Sequence, residues 1–127
     1  MRRLAAICLL LSGCAGSPQW ESAVRHKEQT PGRHIQGGCA VFARELQKRM
    51  AKDGVPTKLV TFTVTITDPP ASVLHQIVAY QVGEESWFIG NDNPAPVWVG
   101  HIQDPWEQRI RQFYKGTNVT VSNIVIE

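Results

Sequence analysis

Between Lys58 and Thr67 the chain alternates strictly, with Val60, Phe62, Val64 and Ile66 on one parity and Leu59, Thr61, Thr63 and Thr65 on the other. Period two with β-branched residues predicts a strand. Just before it the period changes. Phe42, Leu46 and Met50 recur at i, i+4 and i+8, with Arg44, Glu45, Lys48 and Arg49 between them. That spacing predicts an amphipathic helix from Cys39 to about Lys52, ended by Gly54 and Pro56.

After Asp68-Pro69-Pro70, which breaks the first strand, His75–Val82 reads as a second strand. Gly83–Ser86 is expected to turn the chain into a third strand that begins at Trp87-Phe88-Ile89 and ends in the turn formers Asn91-Asp92-Asn93-Pro94. A short strand is expected at Val97–Val99. Asp104-Pro105 is expected to cap a helix reaching Tyr114, with Trp106, Ile110 and Phe113 or Tyr114 on its inner face. Val119–Ile126 is expected as the last strand. A helix, a group of strands, a late helix and a terminal strand predict an α+β domain on an antiparallel sheet. The aromatic residues lie at strand or helix spacing and are assigned to the core.

The first residues carry a different signal. Arg2 and Arg3 precede eight apolar residues, Leu4 to Leu11, and then Leu11-Ser12-Gly13-Cys14. Eight apolar residues are too few to span a bilayer. The arrangement resembles a bacterial lipoprotein signal peptide with its lipobox. The resemblance implies that residues 1–13 are removed, that Cys14 carries lipid and tethers the protein to the membrane, and that the protein lies in the cell envelope. Because Ala15 follows the cysteine, the outer membrane is expected where the cell has one. Residues 14–36, polar and aperiodic, read as a tether with one short helix at Trp20–Lys27. Residues 37–127 then form the single domain.

Without Arg2 and Arg3, Lys plus Arg falls from 13 to 11, equal to the 11 acidic residues. The mature side-chain charge is thus near zero, and no basic stripe interleaved with aromatics supports nucleic-acid binding. The same cleavage removes Cys8 and leaves Cys39 as the one free thiol. An oxidising compartment favours paired cysteines, so a lone thiol points to reactivity.

Cys39 opens the first helix, where the positive end of the helix dipole favours a thiolate. His75 opens the second strand, and Asp92 closes the third. A nucleophilic thiol needs an imidazole to take its proton, and the imidazole needs a carboxylate or amide to orient it. Singly, each residue has an ordinary alternative: a buried structural thiol, a structural histidine, a turn aspartate. The order is what joins them. His26 and His34 fall in the tether, and His101 lies beyond the strand that ends at the acid. Gln36 is the candidate second oxyanion donor beside the Cys39 backbone N–H. No cluster has the spacing of a metal site and no glycine-rich phosphate signature is present, so neither metal nor cofactor is expected.

Three segments, Gly37-Gly38-Cys39, His75-Gln76-Ile77-Val78-Ala79 and Trp87-Phe88-Ile89-Gly90-Asn91-Asp92-Asn93, together resemble the bacterial transglutaminase-like cysteine peptidases of the papain-like group. The span from Gly37 to Asn93 is nearly half of the chain. The resemblance implies a helix carrying the cysteine packed on a small antiparallel sheet, with Cys39 as nucleophile, His75 as base and Asp92 as orienter. The expected reaction is hydrolysis or transfer of an amide bond in an envelope protein or peptide, through an acyl-cysteine. Ala40-Val41 stand where that group often has acidic residues. This departure supports the alternative, a non-catalytic lipoprotein that uses the same fold for binding or assembly.

Overall fold

The computed structural model describes residues 38–67, 70–93 and 95–127. The leader, Cys14, the Trp20–Lys27 helix and Gln36 lie outside them. Two helices and five strands follow one another: α1 (Cys39–Lys52), β1 (Lys58–Thr67), β2 (Pro70–Val82), β3 (Glu85–Ile89), β4 (Val97–His101), α2 (Trp106–Phe113) and β5 (Val119–Ile126). The strands form one sheet in the order β4-β3-β2-β1-β5, and each neighbouring pair is antiparallel. The fold is α+β. No described helix is long and apolar enough to cross a membrane.

Both faces of the sheet are covered, because adjacent strand residues point to opposite sides. On one face Phe42, Ala43, Leu46 and Met50 of α1 bury themselves against Leu59, Val78, Tyr80 and Ile89. On the other, Ile110 of α2 joins Val60, Phe62, Ile77, Ala79, Phe88 and Val99. The alternation in β1 therefore feeds two separate cores, Leu59 facing α1 and Val60 facing α2.

Helix α1 ends as its sequence dictates. Gly54 takes φ +80. The N–H of Gly54 bonds to the Ala51 carbonyl and that of Val55 to the Met50 carbonyl. These are the paired bonds of a Schellman closure, and Val55 folds back into the α1 core. Along β5 one extra residue is accommodated between the Thr61 and Thr63 pairings. Asn123 sits there at φ 54, a left-handed position asparagine tolerates better than most residues.

Several boundaries differ from the sequence reading, among them β4, which runs on past Val99 to His101. Strand β2 begins at Pro70, so His75 is an interior strand residue, paired across to Phe62. The residues from Pro70 to Leu74 are all exposed. What makes them strand is backbone pairing with β1 from Thr67↔Pro70 to Thr63↔Leu74, which no local hydrophobic pattern announces. Strand β3 starts at Glu85, two residues before Trp87. Asp104 does not cap α2. Its Oδ2 accepts the His101 backbone N–H at 2.9 Å, and Pro105 occupies the N-cap position.

Candidate functional site

The end of the sheet where β3 stops gathers the chemistry. The last β2–β3 pair is Val78↔Ile89, so the stretch of β2 that carries His75 lies beyond the end of β3. The chain then turns at Gly90–Asn93, closed by the Asn93 N–H bonding to the Gly90 carbonyl at 3.1 Å. Asp92 is the third residue of that turn and is exposed.

His75 shares the α2 face with Ile77 and Ala79 and is half-buried. Its ring meets the Phe62 ring edge to face, with centroids 5.8 Å apart. Burial holds its pKa below the ordinary 6.5, and the nearby Asp92 carboxylate pulls the other way. Desolvation wins because it penalises the imidazolium, whereas the exposed carboxylate is screened by water. At neutral pH the imidazole is therefore neutral and able to accept a proton. Its Nε2 lies 3.6 Å from the point where a side chain at Gly90 would begin, and the Asn93 Oδ1 lies 3.0 Å from the same point. Glycine at this position is what lets the turn close over the ring.

Cys39 is the first residue of α1, after Gly38, and no side chain caps that helix start. The first-turn amides are thus left without the usual side-chain acceptor. The thiol is free and partly exposed, and its Sγ lies 4.0 Å from the carbonyl oxygen of Leu74, the residue before His75. The thiol meets β2 through its backbone, while the His75 ring lies on the α2 face.

Tyr114 packs on the α2 face beside His75's neighbour Phe62. It follows α2 directly as its C-cap, and its ring packs edge to face against Phe62 and Phe113, at 6.0 and 5.1 Å. Its phenol is pushed well above the ordinary value of 10, first by burial, then by the negative charges of Asp92 and Cys39. Asp92 thus acts on both His75 and Tyr114, and Cys39 acts on Tyr114. Among the described residues no hydrogen bond or ion pair joins His75 to Cys39 or to Asp92: the thiol approaches the backbone of β2 beside His75, and Asp92 acts on the ring only through its charge.

The sequence gives Tyr114 and Asn93 no functional mark, while Asn91 is an alternative to the assigned partner of His75. Tyr114 was assigned to the inner face of a helix, which its ring contacts satisfy, and spacing carries no sign of where a hydroxyl ends. The run Asn91-Asp92-Asn93-Pro94 carries turn chemistry in the sequence. Yet Asn91 is buried and its Oδ1 has no hydrogen-bond partner among the described residues, while Asn93 shares the Gly90 space with His75. His101 lies at the other end of the sheet. It pairs with Glu85 at the start of β3, and its Nε2 is 3.2 Å from the Glu85 carboxylate. Among the described residues no group of His, Cys, Asp and Glu is arranged to hold a metal ion. Comparison with protein-family models, curated proteins and solved structures returned no match.

Proposed function

We propose that this protein is a lipid-anchored envelope cysteine hydrolase or acyltransferase of the papain-like, transglutaminase-like kind. The observation that carries the reading is the neighbourhood of His75: the Cys39 Sγ lies 4.0 Å from the carbonyl oxygen of Leu74, the residue before it, and the Asp92 carboxylate is near enough to raise its pKa. The Cys39 sulfur attacks the carbonyl carbon of an amide as neutral His75 takes the thiol proton. Collapse of the tetrahedral intermediate breaks the C–N bond, and His75 returns the proton to the leaving amine. Water or a second amine, deprotonated by His75, then resolves the acyl-cysteine. Hydrolysis and transamidation share that intermediate. The turn Gly90–Asn93 lies on the Nε2 side of the imidazole, which leaves Nδ1 for the thiol, and the Asp92 carboxylate favours the imidazolium through its charge. The amides of the uncapped α1 start, including that of Cys39, are the donors for the oxyanion, with Gln36 as a second donor.

The test is alkylation of a chain of residues 15–127 by iodoacetamide across pH, with trapping by a peptide chloromethyl ketone. Rapid reaction well below pH 8 that slows in His75→Ala and Asp92→Ala supports the enzyme. The second reading, a binding module on the same fold, rests on the Sγ to Leu74 carbonyl contact at 4.0 Å, which a neutral thiol makes as a weak donor. A thiol that alkylates only as an ordinary one, indifferent to His75, selects that reading. The anchor is tested separately. Metabolic labelling with an alkynyl palmitate marks the wild type and not Cys14→Ala, and an unmodified N-terminus at Met1 rules the anchor out.

A further inference from the structure

A second site stands at the opposite end of the sheet. A cavity of about 580 Å³ opens beside α2, lined by Lys58, Gln81, Ser86, Ile102, Trp106 and Arg109 among others. Gln81 is six residues along β2 from His75, roughly 20 Å at the rise of an extended strand. The cavity is thus separate from the thiol.

Its most unusual wall is Arg109, only 6% exposed. The guanidinium is held from three directions. Nε donates to the Asp104 carbonyl at 2.9 Å, a terminal nitrogen donates to Ser86 Oγ at 3.2 Å, and the group lies over Trp106, its Cζ 3.8 Å from the ring centroid. Both hydrogen-bond acceptors are neutral. Asp104 is its charged neighbour, but the Asp104 Oδ2 is engaged by the His101 N–H, and no carboxylate among the described residues lies within 4.0 Å of Arg109 or Lys58. A guanidinium carries five N–H donors, so two bonds leave most of the fork open. No Asp or Glu lines the cavity, while two cations and several apolar side chains do. Fixing a buried cation by neutral partners, beside a space with no anion, leaves a charge that a ligand can complete.

We propose that this cavity binds a small organic carboxylate carrying a ring-sized apolar group, with the carboxylate on Arg109 and Lys58 and the apolar body against Trp106 and Ile102. The volume suits such a ligand, and apolar walls with a few fixed polar groups are the usual construction of a small-molecule site. Arg is suited to the bidentate role because its fork matches a carboxylate in plane.

N-acetyl-L-phenylalanine is the probe, titrated by calorimetry into the full-length protein in detergent, with the tryptophan indole N–H signals followed by NMR. Saturable binding is expected, with one indole signal moving. N-acetyl-L-phenylalaninamide and inorganic phosphate are expected to bind at least about tenfold more weakly, the former lacking the charge and the latter the apolar body. Arg109→Met is expected to abolish binding. Since that buried change can also unfold the chain, Lys58→Gln, an exposed position, is the second variant, and a several-fold loss is expected there. Cys39→Ala is expected to bind the probe unchanged, so the outcome is independent of the thiol chemistry. Absence of saturation, equal binding of acid and amide, equal binding of phosphate, or wild-type affinity in Lys58→Gln overturns the proposal.

Discussion

The Nε2 of His75 lies 3.6 Å from the site of a missing side chain at Gly90. A methyl group there would also stand 3.0 Å from Asn93 Oδ1 and 3.1 Å from the Ile77 Cγ2, both closer than ordinary van der Waals contact. Asn93 can swing away, but Ile77 is fully buried. Gly90→Ala is therefore expected to destabilise the domain by about 1–3 kcal/mol through overpacking, more than the gain of up to about 1 kcal/mol from a stiffer unfolded chain. Denaturant melts measure the loss, and a shifted His75 ring signal in NMR shows where it falls. An unchanged melt with an unchanged ring signal contradicts the packing.

Leu46 probes the other face. It is fully buried in the core that α1 forms with Leu59, Val78 and Ile89. Truncation to alanine leaves a cavity, and Leu46→Ala is expected to cost about 2–5 kcal/mol. Since Cys39 is carried on the same helix, this variant also tests whether the thiol depends on that packing. The denaturation midpoint and the alkylation rate are expected to change together.

His75 gives the fold a pH dependence of definite sign. Burial lowers its folded pKa below 6.5, so the unfolded chain binds the proton more tightly. The contribution to stability is complete above about pH 6.5 and declines as the pH falls from there toward the folded value. Replacing His75 by Gln is expected to flatten that part of the profile. Asp92→Asn removes the charge that raises the His75 pKa, so the imidazole is expected to titrate at still lower pH, as followed by its ring-proton shift. A titration that moves upward in Asp92→Asn is incompatible with the geometry.

The parts of the fold legible in the sequence were those with a local cause. The Phe42, Leu46, Met50 spacing and the Gly54 stop mark out α1, and the Val60 to Ile66 alternation marks β1, because burial on one face imposes a period that side chains display. The start of β2 had no such mark. Its residues from Pro70 to Leu74 are exposed and owe their strand to β1, a long-range pairing. The site divides in the same way. Cys39 at a helix start and Asp92 in a turn are local features. The position of Tyr114 depends on α2 packing across the α2-face core onto Phe62, which no spacing within residues 106–114 contains.

Tyr114 supplies the sharpest test of that convergence. Its ring contacts with Phe62 and Phe113 belong to the core and survive in Tyr114→Phe, so the fold is expected to lose no more than about 1–2 kcal/mol. The hydroxyl is the part that feels Asp92 and Cys39. Burial first, then charge, keeps the phenol protonated well above neutral pH, so its O–H can donate a hydrogen bond. Removing it is expected to slow iodoacetamide alkylation of Cys39 at pH 7 several-fold and to move the His75 titration, through loss of a dipole near Asp92. The control is Tyr80→Phe. Tyr80 has a buried hydroxyl with no partner among the described residues, on the strand of His75 but on the α1 face, and its removal is expected to leave the thiol rate alone. If Tyr114→Phe and Tyr80→Phe leave thiol kinetics equally untouched, Tyr114 is a packing residue and the site reduces to Cys39, His75 and Asp92.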